Sequence, residues 1–183
     1  MPPTFRHSLL LCTAVAALVL LGARGVSAQD SPAATASVTV NGKTISIKYS
    51  APSVRGRVIF GPGNLVSKDP TYPVWRAGAD AATLLQTDAD LMIGNLAVPK
   101  GTYSLYVNLK NMEAWELIVN KQAGQWGLTY DQSRDLGRVP MAMSKPPALV
   151  ETLKYALTDQ GGGKVELLLE WVYRHTTVPI TVK

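Results

Sequence analysis

What the chain lacks sets the first limits. One cysteine and two histidines occur in 183 residues, and Cys12 and His7 both fall within residues 1–28. The remainder has no thiol and a single imidazole, His175. Disulfides and thiol nucleophiles are excluded there, and zinc sites built from Cys and His have no ligand set. Ser-His-Asp catalysis would rest on His175 alone, and no Gly-x-Ser-x-Gly elbow accompanies it. A phosphate-cradling loop is absent as well, because Gly161-Gly162-Gly163 runs into a strand-like segment and not into a helix. Around Asp88 and Asp90, "TDADLMIGN" has neither the spaced oxygen ligands nor the turn glycine of a calcium loop, and a polar hairpin turn is expected instead. No catalytic residue, no metal and no cofactor are expected on these grounds.

Long apolar runs are missing apart from one. Leu9 to Leu21 is preceded by Arg6 and His7 and followed by "ARGVSA", with Val26 and Ala28 at the −3 and −1 positions of a signal-peptidase site. The run is shorter than the roughly 20 residues needed to span a bilayer as a helix. Residues 1–28 are therefore expected to be a signal peptide, cut before Gln29, with no stable membrane anchor. The expected product is exported, periplasmic or secreted. Charge of one sign is scarce too. Removing Arg6 and Arg24 leaves 16 of the 18 basic residues against 13 acidic ones, a formal charge of +3. Spread thinly, that charge makes no phosphate-binding stripe, so nucleic acid is not an expected partner.

Helical periodicity is the last absence, and a period of two takes its place. "ASVTVNGKTISIKYS" alternates through Val38, Val40, Ile45, Ile47 and Tyr49 around Asn41-Gly42. That is a strong hairpin signal, since both turn residues tolerate positive φ. Tyr103, Leu105, Val107 and Leu109 share one face, as do Trp115, Leu117 and Val119. Leu149, Leu153, Tyr155 and Leu157 share another, with Glu151 as a blemish, and Val165 through Trp171 and Tyr173 form the next. Residues 29–36 ("QDSPAATA") are small and polar and are expected to be a flexible leader. Residues 37–183 are expected to form one all-β domain, an antiparallel β-sandwich or jelly-roll-like barrel. Its length suffices for a core without covalent staples.

Two stretches break the alternation, residues 50–82 and 120–148, and they hold the unusual side chains. Arg55, Arg57, Trp75, Arg76 and Asp80 lie in the first, Trp126 and Tyr130 in the second. As a binding site, the guanidinium groups would grip a carboxylate, phosphate or sugar hydroxyl while the rings stack. As bracing, Arg76 would pair with Asp80 or cap loop carbonyls, Gly78 would permit an unusual backbone angle, and Trp75 would fill the core. Bracing is the weightier reading for Arg76 and Asp80. Arg55 and Arg57 look less buried and are the better ligand candidates. Paired carboxylates at Glu166 and Glu170 sit roughly 13 Å apart along one strand. Glycosidase pairs need about 5–5.5 Å or about 6.5–9.5 Å, so a solvated outer face is expected for both.

"YSAPSVRGRVIFG", "VWRAGADAAT", "VPKGTYSLYV", "WELIVNKQAGQWG" and "LLLEW" follow one another over nearly the whole chain after residue 28. In that order they resemble the bacterial family catalogued as domain of unknown function 2911. The resemblance implies an exported β-domain and carries no activity, ligand or catalytic residue with it. The family pattern has Gly-Ala-Asn-Glu-Ala-Thr where this chain has Gly78-Ala79-Asp80-Ala81-Ala82-Thr83, so a carboxylate at 81 is absent.

The function expected is therefore non-catalytic binding through the irregular loops. Four tryptophans and seven tyrosines suggest a carbohydrate or other envelope-associated molecule. One alternative is a hydrolase or lyase using Asp80 or Glu151 with Arg76. Another is a structural or self-association module.

Overall fold

Asn41 and Gly42 have φ of 52° and 72°, and the hairpin expected around them forms between β1 (Ala33–Val40) and β2 (Lys43–Ser50). The computed structural model describes residues 31–183, so the signal-peptide expectation for residues 1–28 lies outside it. After β2 come β3 (Val74–Trp75), β4 (Thr83–Thr87), β5 (Leu91–Ile93) and β6 (Leu96–Val98). Then follow β7 (Gly101–Asn108), β8 (Glu116–Asn120), β9 (Asp135–Pro140) and β10 (Ala142–Ser144). The longest strands close the chain: β11 (Val150–Gly161), β12 (Lys164–Val172) and β13 (Arg174–Val182). Two 3₁₀ turns, Val66–Lys68 and Gln132–Arg134, are the helical elements among the described residues. None of the described helices is long and apolar enough to cross a membrane.

The strands form two antiparallel sheets, as the alternation requires. One runs β1-β2-β4-β7-β8-β9, with β3 beside β7; the other runs β11-β12-β13-β5-β6, with β10 beside β13. β1 approaches β11 and β6 approaches β9, so the sheets meet along both edges in a sandwich that is nearly closed. Between them lies one apolar cluster containing Ile45, Ile47, Leu85, Leu105, Val107, Leu117, Leu167 and Val178. At one end the filling is aromatic. Trp75 stacks on Trp171 with centroids 5.8 Å apart, and Phe60 meets Trp75, Trp115 and Trp171 at 5.0–5.8 Å. This aromatic end carries the irregular segment 50–82.

Several expectations are corrected. β1 starts at Ala33, so residues 33–36 belong to a strand and not to a flexible leader; Ala33 and Ala34 pair with Ser50 and Tyr49. β4 and β5 do not form a hairpin around Asp88-Ala89-Asp90, because the chain crosses there from one sheet to the other. The crossing is tied by one main-chain bond, Asp88 N–H donating to Thr44 O, and one side-chain bond, Asp90 Oδ1 accepting from Lys100 N–H. Tyr173 does not continue the apolar face of β12. Trp171 pairs with Arg174, so Val172 and Tyr173 are the two-residue turn between β12 and β13, and Tyr173 is 54% exposed. Finally, the stretch 120–148 contains two strands, β9 and β10, whose alternation is interrupted by Gly137 and Pro140.

Candidate functional site

The loop opening with Trp75 is held by its main chain. Ala77 has φ 47° and Asp80 φ 58°, a left-handed conformation that non-glycine residues adopt at a cost. Two hydroxyls lock it: Thr83 Oγ1 and Tyr155 Oη each donate to the Ala77 carbonyl at 3.1 Å. Gly127 N–H donates to the Asp80 carbonyl at 2.9 Å. Gly78 is required by space, since a Cβ there would lie 2.9 Å from Thr83 Oγ1. Bracing is therefore present and Trp75 fills the core as expected, but the Arg76–Asp80 pairing is not made. Asp80 is exposed, and no ion pair joins it to Arg76 among the described residues.

Arg76 runs elsewhere. Its guanidinium carbon lies 5.8 Å from the centre of the Trp126 ring, which is 53% exposed. Its Cδ would be 2.5 Å from a Cβ on Gly127, so that glycine makes room for the side chain. Its Nε is buried and has no hydrogen-bond partner. Trp115 Nε1, inside the aromatic cluster, is the other such atom among the described residues. Buried donors are nearly always satisfied, so an orphan on a charged side chain calls for an explanation.

The Arg76 side chain also lines a cleft of about 200 Å³, although its Nε stays enclosed. Arg55, Arg57 and Arg76 line it together with Asp69, and Trp75 and Trp171 contribute to its walls. The first two arginines reach it through a tight turn. Arg55 and Gly56 both have positive φ, 49° and 68°, and Arg57 N–H donates to Val54 O at 3.0 Å. Two successive positive angles are the type I′ geometry, which Gly56 permits. Arg57 is also bracing, since Nε donates to Val54 O and Nη2 to Ser53 O. Glu151, the blemish on β11, explains itself here: its Oε1 accepts from Arg55 N–H at 2.8 Å. Its carbonyl accepts from Val54 N–H at 2.8 Å and from Trp171 Nε1 at 3.3 Å.

Of the residues singled out from sequence, the fold brings Arg55, Arg57, Trp75 and Arg76 to one cleft. Asp80 does not line it, nor does Glu151, so the acid/base arrangement of either with Arg76 is not assembled. Trp126 touches the site only through its ring under Arg76. Tyr130 belongs to a different place. It packs with Val74, Ala82, Tyr106 and Ile118 in a small second core, where residues after β8 cover the outer face of β7. Its hydroxyl donates to Asp135 Oδ2 at 2.7 Å and accepts from Arg138 Nη2 at 3.0 Å. Burial, then the hydrogen bond to Asp135 and its charge, push that phenol's pKa up.

Asp69 is the residue sequence reading missed. It is the one carboxylate among the described lining residues. Burial pushes its carboxyl above the ordinary aspartate value, with the Arg76 charge pulling the other way. "SKDPTYP" carries no periodicity, and its single clue is a turn-forming Asp-Pro. Trp171 was legible as core, but not as part of a cleft wall.

Glu166 and Glu170 also part company. Glu166 is exposed as expected, whereas Glu170 is buried, 7% exposed. Its oxygens meet Lys154 Nζ at 2.7 Å on β11 and His175 Nδ1 on β13. The central strand puts both partners directly across from it. Among the described residues, no group of three or more His, Cys, Asp or Glu is placed to hold a metal ion.

The fold and site define an antiparallel two-sheet β-domain with an arginine-lined cleft at its aromatic end. Residues 31–180 match the family described as "Protein of unknown function (DUF2911)", and the chain belongs to that family. No curated protein and no solved structure matches the chain.

Proposed function

We propose that the protein is an exported, non-catalytic binding domain whose cleft takes a ligand with a compact anionic group. A carboxylate, phosphate or sulfate fits the donors: guanidinium forks bind such groups in charge-assisted, often paired hydrogen bonds. The observation that carries this reading is the convergence of Arg55, Arg57 and Arg76 on one cleft against a single carboxylate, Asp69. A carbohydrate ligand enters through an acidic group, not through ring stacking, because Trp75 and Trp171 stack on each other and are buried.

The test is calorimetric titration of the protein with acetate, sulfate, inorganic phosphate and glucose, alongside Arg76→Ala and Arg76→Lys. Binding of at least one anion is expected, weakened about 10- to 100-fold by Arg76→Ala, the scale of one charged hydrogen bond. A bound anion should also stabilise the fold, by about 2.7 kcal/mol at a hundredfold excess over Kd. Silence from all three anions, or unchanged affinity in Arg76→Ala, overturns the proposal.

A further inference from the structure

A second depression lies across the 53–60 segment from the arginine cleft. Ser53 and Arg55 line the cleft, whereas Val54, Gly56, Val58, Ile59 and Phe60 line a groove of about 540 Å³. Arg57 lines both. Its Nε and Nη2 donate to the backbone, which leaves Nη1 for another acceptor, since a guanidinium carries five donors.

The groove gathers exposed apolar side chains that are normally scattered singly over a surface. Six large hydrophobic residues are exposed among the described residues, and four of them lie on these two depressions. Leu65 is on the cleft; Val58 (66% exposed), Leu149 (44%) and Tyr173 are on the groove. Tyr173 is set there by a strained turn: Val172 has φ 59°, a left-handed angle that is an outlier for a β-branched residue. Arg57, Lys145 and Arg174 surround the apolar floor, against a single acid, Glu113, whose Oε1 already pairs with Arg174 at 3.4 Å. The volume is that of a small-molecule site.

We infer that the ligand is a monomeric anionic amphiphile. Its charged head sits on the cleft arginines, and its apolar chain crosses Arg57 into the groove against Val58, Leu149 and Tyr173. This rests on the reading of the cleft as an anion site. It adds the ligand class, which the cleft alone does not specify.

Titration with a series of straight-chain carboxylates settles it: acetate, butyrate, hexanoate and octanoate, kept below micelle-forming concentrations. Affinity should climb with length, by up to about fourfold for each methylene that is fully buried. Tyr173→Ser and Leu149→Ser should flatten that climb and leave acetate binding unchanged, while Arg76→Lys should weaken every member. Equal affinity for acetate and octanoate overturns the inference and leaves the anion site standing. Equal affinity for octanoate and 1-octanol also overturns it, since the head would then contribute nothing. Binding to phosphatidylglycerol vesicles without binding to the free acids would assign the groove to a membrane surface instead. Failure of every anion removes the cleft reading as well.

Discussion

Arg76 and Asp69 line the same small space with opposite charge, and under the proposed anion reading their balance sets what that space would accept. Burial raises the Asp69 pKa above the ordinary 3.8, and Arg76 offsets part of that rise. A raised carboxyl pKa means that the ionised form costs stability in the folded state. The cost is felt above the raised value and fades as pH falls through it. The same carboxylate repels an incoming anion. Sulfate, which stays charged, should therefore bind more tightly as pH drops from 7 towards the ordinary aspartate value. Asp69→Asn should bind sulfate more tightly than wild type at pH 7 and lose that pH dependence. Titrations of both proteins at the two ends of the range check this, and a flat wild-type profile would remove Asp69 from the binding event. At this scale the sequence was half legible. Arginines in an irregular Gly- and Pro-rich stretch pointed to the site, and Glu151 was visibly out of pattern. Asp69 was not visible, because nothing local marks a carboxylate whose importance comes from what folds around it.

At the scale of elements, β12 shows how a central strand changes a residue's fate. Alternation places Glu170 on the outer face, and that assignment holds. What alternation omits is the neighbour on each side. Lys154 on β11 and His175 on β13 close over the carboxylate. Burial alone would raise its pKa, but the hydrogen bonds and charges of these two partners outweigh it and leave the carboxyl below the ordinary 4.5. A lowered carboxyl pKa stabilises the fold above the unfolded value, and the benefit is lost as pH falls through the folded one. Glu170→Gln should thus cost about 1–3 kcal/mol at pH 7, the scale of weakening hydrogen bonds between charged groups. The gap between the two proteins should close below the ordinary carboxyl value of 4.5. Denaturant midpoints between pH 7 and 3 measure it; a gap that persists in acid would show that charge is not the cause. The turns divide in the same way. Asn41-Gly42 was legible because the residues themselves favour positive φ, whereas Val172-Tyr173 was not, because Val172 is forced into that angle by the pairing on either side.

For the molecule as a whole, the aromatic end is both part of the core and the wall behind the cleft. Trp75 belongs to β3, stacks on Trp171 from the opposite sheet, and meets Phe60 and Trp115 edge-on. Trp75→Ala should destabilise the domain by about 3–5 kcal/mol, the range for large aromatic truncations in cores, and should enlarge the cleft from behind. Thermal and denaturant unfolding check the first; an unchanged melting midpoint would contradict the burial seen here. The sequence by itself determined an all-β domain, most of its core faces and its first hairpin, because side-chain alternation is a local property of an extended chain. Only the tertiary structure decided which strands share a sheet, where β4 hands over to β5, and that Arg55, Arg57, Asp69 and Arg76 border one cleft while Asp80 and Tyr130 do not. Those outcomes depend on long-range pairing and on the buried donors each loop must satisfy, and no short stretch of sequence contains either.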